Sequence, residues 1–218
     1  MSYDRLLEAQ RQRREGAALD YGPDHSRLLV RVMRALALGR PVSKEQIDQI
    51  VDDLGLGRDE ADQFLRRGTE RDESDNVTGI LGLSLNRTPH QLVVDGTRLW
   101  AWCAVATLVL PALLQQTATI ESSAPASGER IRLTVTPDRV EDVTPPDAAV
   151  SMVVVDPDKP DPSSVEERWA ATCHHIHFFP SREEAEQWAA GRDDIAILTV
   201  EEGFEFERLV MSKILASL

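Results

Sequence analysis

Residues 99–114, LWAWCAVATLVLPALL, are the most apolar run in the chain, and the reading of the fold turns on them. A bilayer-spanning helix needs about 20 apolar residues. This run is shorter and contains Pro111. It reads instead as a buried helix over residues 97–115, holding Cys103 and ended or kinked near Pro111. A helix that is apolar all round must be covered all round, so the flanking sequence has to supply the cover.

Upstream, SRLLVRVMRALALG places Leu28, Leu29, Val32, Met33 and Leu36 on one helical face, with Gly39 as a stop. SKEQIDQIVDDLG follows, with Ser43 and Gln46 in capping-box spacing and Ile47, Ile50, Val51 and Leu54 as its apolar stripe. A third helix carries Ala61, Phe64 and Leu65. VTGILGLSLNRTPHQLVVDG then reads as a strand pair ending in a turn at Asp95-Gly96. Three short helices and a hairpin make a winged-helix-like pattern over residues 25–97, preceded by a charged, frayed or helical extension over residues 1–24.

Downstream, TATIESS, RIRLTVT, AVSMVVVD, CHHIHFF and IAILTV read as strands. DPDKPDPSSVEE, residues 156–167, is a Pro/Asp-rich loop. SREEAEQWAAG is a helix with Ser181 and Glu184 in capping-box spacing, and EEGFEFERLVMSKILASL is a C-terminal helix. The expected class is α+β: the winged-helix-like module, then a mixed β-sheet domain with flanking helices over residues 98–218.

Composition narrows the function. The 218 residues carry a net charge of −13, with most of the acidic excess beyond residue 80. The third helix and its tail, RDEADQFLRRGTERDES, hold more acid than base. A groove-reading helix needs positive charge where it meets phosphate, so nucleic acid and anionic membrane are not expected as partners. MSYDRLLEAQRQRREG lacks the apolar segment of a signal peptide. A cytoplasmic location is expected, where the two cysteines, Cys103 and Cys173, would be reduced thiols.

The residues with chemical potential cluster in ATCHHIHFF, residues 171–179. On a strand, Cys173, His175 and His177 would share one face, with His174 and Ile176 on the other. Cys173 and His177 would then stand roughly 13 Å apart. One tetrahedral ion with bonds of about 2.0–2.3 Å does not reach all three without a sharp bend. A Cys-His nucleophile is also conceivable, since a neighbouring imidazole lowers a thiol pKa. Cys173 and His174 would nevertheless face opposite ways. Spacing alone favours a buried strand whose histidines, His175 and His177 among them, bond to backbone or carboxylates.

Two motifs taken together point further. RLWAWCAVATLVLPALL, followed roughly seventy residues later by CHHIHFF, resembles the alkylmercury (organomercurial) lyase family. That family has an aromatic-Ala-Trp-Cys stretch leading into a Pro-Ala-Leu helix, then a Cys-Cys-His-x-His-Phe-Phe segment. LALGRPVS, LTVTPDRVEDVTPPDAAVSMVVV and the helix with Trp188 share the likeness, which extends from about Leu28 to the C-terminus. The resemblance implies cleavage of a carbon–mercury bond by protonolysis. Two thiolates hold the soft metal, a proton reaches the carbon, a hydrocarbon leaves, and a dithiolate-bound mercuric ion remains.

The family's two essential cysteines match Cys103 and Cys173, which would hold mercury as substrate and product. Trp102 would stand at the pocket wall. No cofactor is implied, although free thiols would be needed to remove the mercuric product, with transfer to a thiol carrier or mercuric reductase. The sequence departs from the family at three positions. Ala106 stands where the family has its proton-relaying aspartate, His174 where it has the second cysteine of the strand, and Ala124 where many members carry a further cysteine. The proton would then come from a cysteine thiol, His174 or water. The alternative is a non-catalytic or repurposed dithiol protein that binds soft metal ions or acts on a different substrate.

Overall fold

The computed structural model describes residues 3–12, 18–154 and 164–218. In chain order its helices are α1 (Tyr3–Arg11), α2 (Gly22–Leu36), α3 (Lys44–Asp53), α4 (Arg58–Arg66), α5 (Ala104–Leu114), α6 (Val165–Ala171), α7 (Arg182–Trp188), α8 (Val200–Val210) and α9 (Ser212–Leu215). The strands are β1 (Thr69–Arg71), β2 (Val77–Ile80), β3 (Leu83–Ser84), β4 (His90–Val94), β5 (Thr97–Ala101), β6 (Ala118–Ser123), β7 (Arg130–Val135), β8 (Val140–Thr144), β9 (Ala149–Val153), β10 (Phe178–Phe179) and β11 (Ile195–Thr199).

Helix α5 is the axis of the fold. All eleven of its residues are buried, as its uniformly apolar sequence requires. Its cover comes from β3 to β7 on one side and from α2, α8 and β9 on others. The helix starts at Ala104, later than the expected residue 97, because residues 97–101 pair as β5 with β3 and β4. Pro111 neither ends nor starts it. The helix runs through Pro111 to Leu114 and stops at Gln115, which adopts the left-handed conformation at φ 58°. An interior proline costs about 3 kcal/mol through its lost hydrogen bond and ring clash. Burial of Leu108, Leu110, Leu113 and Leu114 outweighs that cost at roughly 1.5–3 kcal/mol per side chain.

The large sheet has strand order β1-β2-β3-β5-β4-β6-β7-β8, and a second sheet has order β10-β9-β11. The α+β class is as expected. The mixed sheet is not, because every pairing among the described residues is antiparallel. Short hairpin connections explain this: Asp95-Gly96 joins β4 to β5, and Leu81-Gly82 joins β2 to β3, all four residues at positive φ. The stretch expected as a strand pair, residues 77–96, therefore forms three strands. The large sheet continues across position 97, where a domain boundary was expected; that position is the first residue of β5.

Capping chemistry holds the helix starts where the sequence puts them. Ser43 and Gln46 make both bonds of a capping box at α3, and Thr199 and Glu202 do the same at α8. Ser181 accepts from the Glu184 N–H at α7. The C-terminal segment is two helices, α8 and α9, rather than one, with the break at Met211. The N-terminal extension is anchored: Leu6 of α1 is buried, and the Leu19 N–H bonds to the Val210 carbonyl at 2.8 Å. Of the expected Pro/Asp-rich loop, residues 156–163 lie outside the described residues, and Ser164 caps α6.

Candidate active site

CHHIHFF does not form the expected strand. Helix α6, capped by Ser164, runs to Ala171, and after the non-helical Thr172 the residues Cys173–His175 form one 3-10 turn. Only Phe178 and Phe179 are strand. The 3-10 turn is closed by the Ile176 N–H on the Cys173 carbonyl at 3.2 Å. The Ser164-x-x-Glu167 spacing was the available signal for α6, and the Glu167 N–H does bond to the Ser164 hydroxyl at 3.2 Å. Because the backbone coils here, Cys173, His175 and His177 do not share a strand face.

Backbone bonds bring this turn onto α5. The Ala104 N–H, at the first position of α5, donates to the Ile176 carbonyl at 3.2 Å. Ser151 on β9 clamps the other side: its hydroxyl donates to the His175 carbonyl at 2.9 Å and accepts from the His177 N–H at 2.9 Å. Cys103 occupies the N-cap position of α5 in extended conformation, and Cys173 opens the 3-10 turn.

The two thiols act on each other as a result. Both cysteines are buried and free of disulfide, and each shifts the other's pKa. The Cys103 thiol is pushed well up, first by donating to Cys173 and then by burial; the nearby Ala106 N–H works the other way. The Cys173 thiol is lowered, first by accepting from Cys103 and also by the positive charge of Arg168 on α6, although burial opposes this. Of the two, Cys173 therefore gives up its proton more readily and Cys103 holds its proton more firmly, and it is the thiolate that attacks a soft electrophile.

The remaining expected site residues are distributed unevenly. Trp102 is 7% exposed beside Cys103, and its Nε1 is buried with no hydrogen-bond partner among the described residues. Ala106 lies in the first turn of α5, 6% exposed, against the backbone of Gly82: a Cβ added at Gly82 would stand 2.8 Å from that of Ala106. His174 is exposed, its ring 4.6 Å from that of Trp169. The ring of His177 bonds through Nε2 to the His174 carbonyl at 2.9 Å, while burial lowers its pKa. Ala124 is buried in the core. Among the described residues, no group of three or more His, Cys, Asp or Glu is arranged to hold a metal ion.

Two charged residues that act on the thiols escaped the sequence reading, Arg168 on α6 and Glu207 on α8. Glu207 on α8 is 9% exposed, and its negative charge raises both Cys103 and Cys173. Burial moves its own carboxyl up to about 7. A signal existed. Val200, Gly203, Phe204 and Glu207 recur at helical spacing and are all buried, so an acid stands in the apolar stripe of α8.

The sequence profile described as alkylmercury lyase matches residues 83–212. An alkylmercury lyase from Pseudomonas putida is 38% identical over 190 residues, covering 86% of this chain and 84% of the relative. One from Bacillus cereus is 39% identical over 181 residues, covering 82% and 78%. Among solved structures, the mercury-bound form of MerB2 superposes with a TM-score of 0.71 at 25% identity, covering 98% of this chain and 96% of the other.

Proposed function

The chain belongs to the alkylmercury lyase family, and from that premise we propose that it cleaves carbon–mercury bonds by protonolysis through Cys103 and Cys173. The observation that carries this reading is the pairing of the two thiols. They are the only cysteines in the chain, far apart in sequence, yet each shifts the other in the core, Cys103 upward and Cys173 downward. Mercury is a soft metal whose preferred ligands are thiolates. The Cys173 thiolate displaces the outer ligand of an organomercurial and bonds the metal. Cys103, on losing its proton, adds as the second sulfur and pushes electron density toward the bound carbon. A proton on that carbon completes the step: the hydrocarbon leaves and the mercuric ion stays between the two sulfurs. Free thiols then remove the ion, with a thiol carrier or mercuric reductase as the onward acceptor.

Ala106 favours one second reading. A methyl group neither gives nor takes a proton, and general acid–base help is commonly worth about 10²–10⁴-fold. A dithiol pocket without an acid would bind soft metal ions without cleaving. Incubation with phenylmercury and excess small thiol, followed by benzene release, separates the two. Release by the wild type that is lost in Cys103→Ser and in Cys173→Ser supports the lyase. Tight mercuric binding with no benzene would sink it in favour of the binder.

A further inference from the structure

We propose that His177 is a positioning residue of this site: its Nε2–H holds the turn that presents Cys173 to Cys103, so that both sulfurs close on one mercury atom. This rests on the reading of the two cysteines as mercury ligands and names a side chain that serves them. The turn is bonded throughout. Six successive carbonyls, from Thr172 to His177, each accept a hydrogen bond. Thr172 accepts from the His175 N–H at 3.0 Å, and Cys173 from the Ile176 N–H at 3.2 Å. His175 accepts from the Ser151 hydroxyl at 2.9 Å, Ile176 from the Ala104 N–H at 3.2 Å, and His177 from the Ser151 N–H at 3.0 Å. The remaining carbonyl, that of His174, accepts from the ring of His177 at 2.9 Å. It is the one served by a side chain of the segment itself, and it belongs to the residue after Cys173.

The state of the ring shows what it is kept for. A carbonyl oxygen only accepts, so the ring proton sits on Nε2 and Nδ1 carries a bare lone pair. That Nδ1 is buried and has no hydrogen-bond partner among the described residues. A buried polar atom without a partner lowers stability and calls for an explanation. Phenylalanine at this position would keep the edge-on ring contacts, with Trp188 at 5.4 Å and 85° and with Phe179 at 6.4 Å and 90°. It would also bury no bare nitrogen. What the imidazole adds is the Nε2–H, and that bond ends beside Cys173.

The consequence follows from where the bonds are anchored. The Ala104 bond ties Ile176 to the first residue of α5, next to Cys103 at the N-cap. The His177 bond ties the chain back to His174, next to Cys173. Residues 174–177 are thereby a fixed strut between the two cysteines. Without the Nε2–H, the exposed His174 turns its carbonyl to water. The peptide carrying Cys173 then gains conformations in which one sulfur alone holds mercury. His177 itself bonds no metal and moves no proton; it acts through the backbone of Cys173.

The test compares wild type, His177→Phe, His177→Asn and His177→Gln. Mercuric affinity is measured by competition with a small dithiol, benzene release from phenylmercury by turnover, and the structural effect by thermal unfolding of the metal-free proteins. Phenylalanine keeps the ring and loses the donor. Asparagine carries its amide nitrogen only as far as Nδ1, whereas glutamine reaches the place of Nε2. In His177→Phe and His177→Asn, mercuric affinity should fall about fivefold to tenfold, the worth of one intramolecular hydrogen bond. The kcat for benzene release should fall with it while KM holds. His177→Gln should recover most of both, although it lacks the ring. Wild-type affinity in His177→Phe or His177→Asn overturns the assignment. So does a His177→Gln as weak as His177→Phe, since the donor then restores nothing. A loss of affinity that follows the thermal midpoint from variant to variant makes His177 a structural residue and overturns it too. A wild type that binds mercuric ion and releases no benzene overturns the lyase reading, and the affinities still judge His177.

Discussion

Replacing Glu207 with glutamine should change how stability depends on pH. In the unfolded chain a glutamate titrates near 4.5; in the fold, burial holds Glu207 at about 7. The folded state therefore binds this proton more tightly than the unfolded state. The stability due to the bound proton is complete below about 4.5 and is lost as pH rises through about 7. At about 1.36 kcal/mol per pH unit, the interval is worth about 3 kcal/mol. Glutamine has the same shape and no titration. The cost of burying its amide is the same at every pH, so it shifts the level of the stability curve and not its slope. Urea unfolding of both proteins, kept reduced, at several pH values from 4.5 to 8 gives the comparison. The stability of Glu207→Gln relative to wild type should climb by about 3 kcal/mol across that window, a midpoint displacement of about 1 M or more for a urea slope of about 1–3 kcal/mol/M. Parallel profiles for the two proteins would show that Glu207 titrates as an exposed glutamate does, and the account of its environment would fail.

Three further outcomes follow from particular contacts. Gly203→Ala should destabilise by about 1–3 kcal/mol and disturb the α5–α8 contact, because its Cβ would meet Val150 Cγ1 at 2.8 Å; an unchanged thermal midpoint would contradict the packing. Gly82→Ala combines φ +86° with a 2.8 Å approach to the Ala106 Cβ, so it should cost more than about 1 kcal/mol and slow benzene release with it. Wild-type stability in chemical denaturation would refute that. Removing the donor in Cys103→Ala should raise the pH midpoint of Cys173 alkylation, measured by mass spectrometry of iodoacetamide-labelled peptides. A midpoint that stays put or falls would mean that Cys103 does not lower the Cys173 thiol.

Much of the fold was legible because the forces that set it are local. The buried stripe of α2 and the Ser43 and Ser181 caps act within about one turn, and the structure shows them where the sequence puts them. The Asp95-Gly96 hairpin is local in the same way. CHHIHFF misled because histidines, isoleucine and phenylalanines suit a strand as well as a coiled turn. The Ser164 cap that starts α6, the helix that leads up to Thr172 and the turn at Cys173, lies upstream of the motif. The two cysteines were legible as a motif and as a family likeness, whereas Glu207 showed only as an acid in an apolar stripe.

By itself, then, the sequence determined the α+β class, the caps, the apolar α5 and the two thiols as the chemically distinct residues. Only the tertiary structure decided that Cys103, Cys173 and Glu207 share one environment. Those residues come from an N-cap, a 3-10 turn and the last turn of another helix, and nothing within a few residues of any one of them specifies the other two. Their meeting depends on the Ala104–Ile176 backbone bond, the Ser151 clamp and the close approach of α8 at Gly203. The same burial that joins them lifts Glu207 to about 7 and leaves the proton on Cys103, because low polarity penalises charge only once the chain has closed around it.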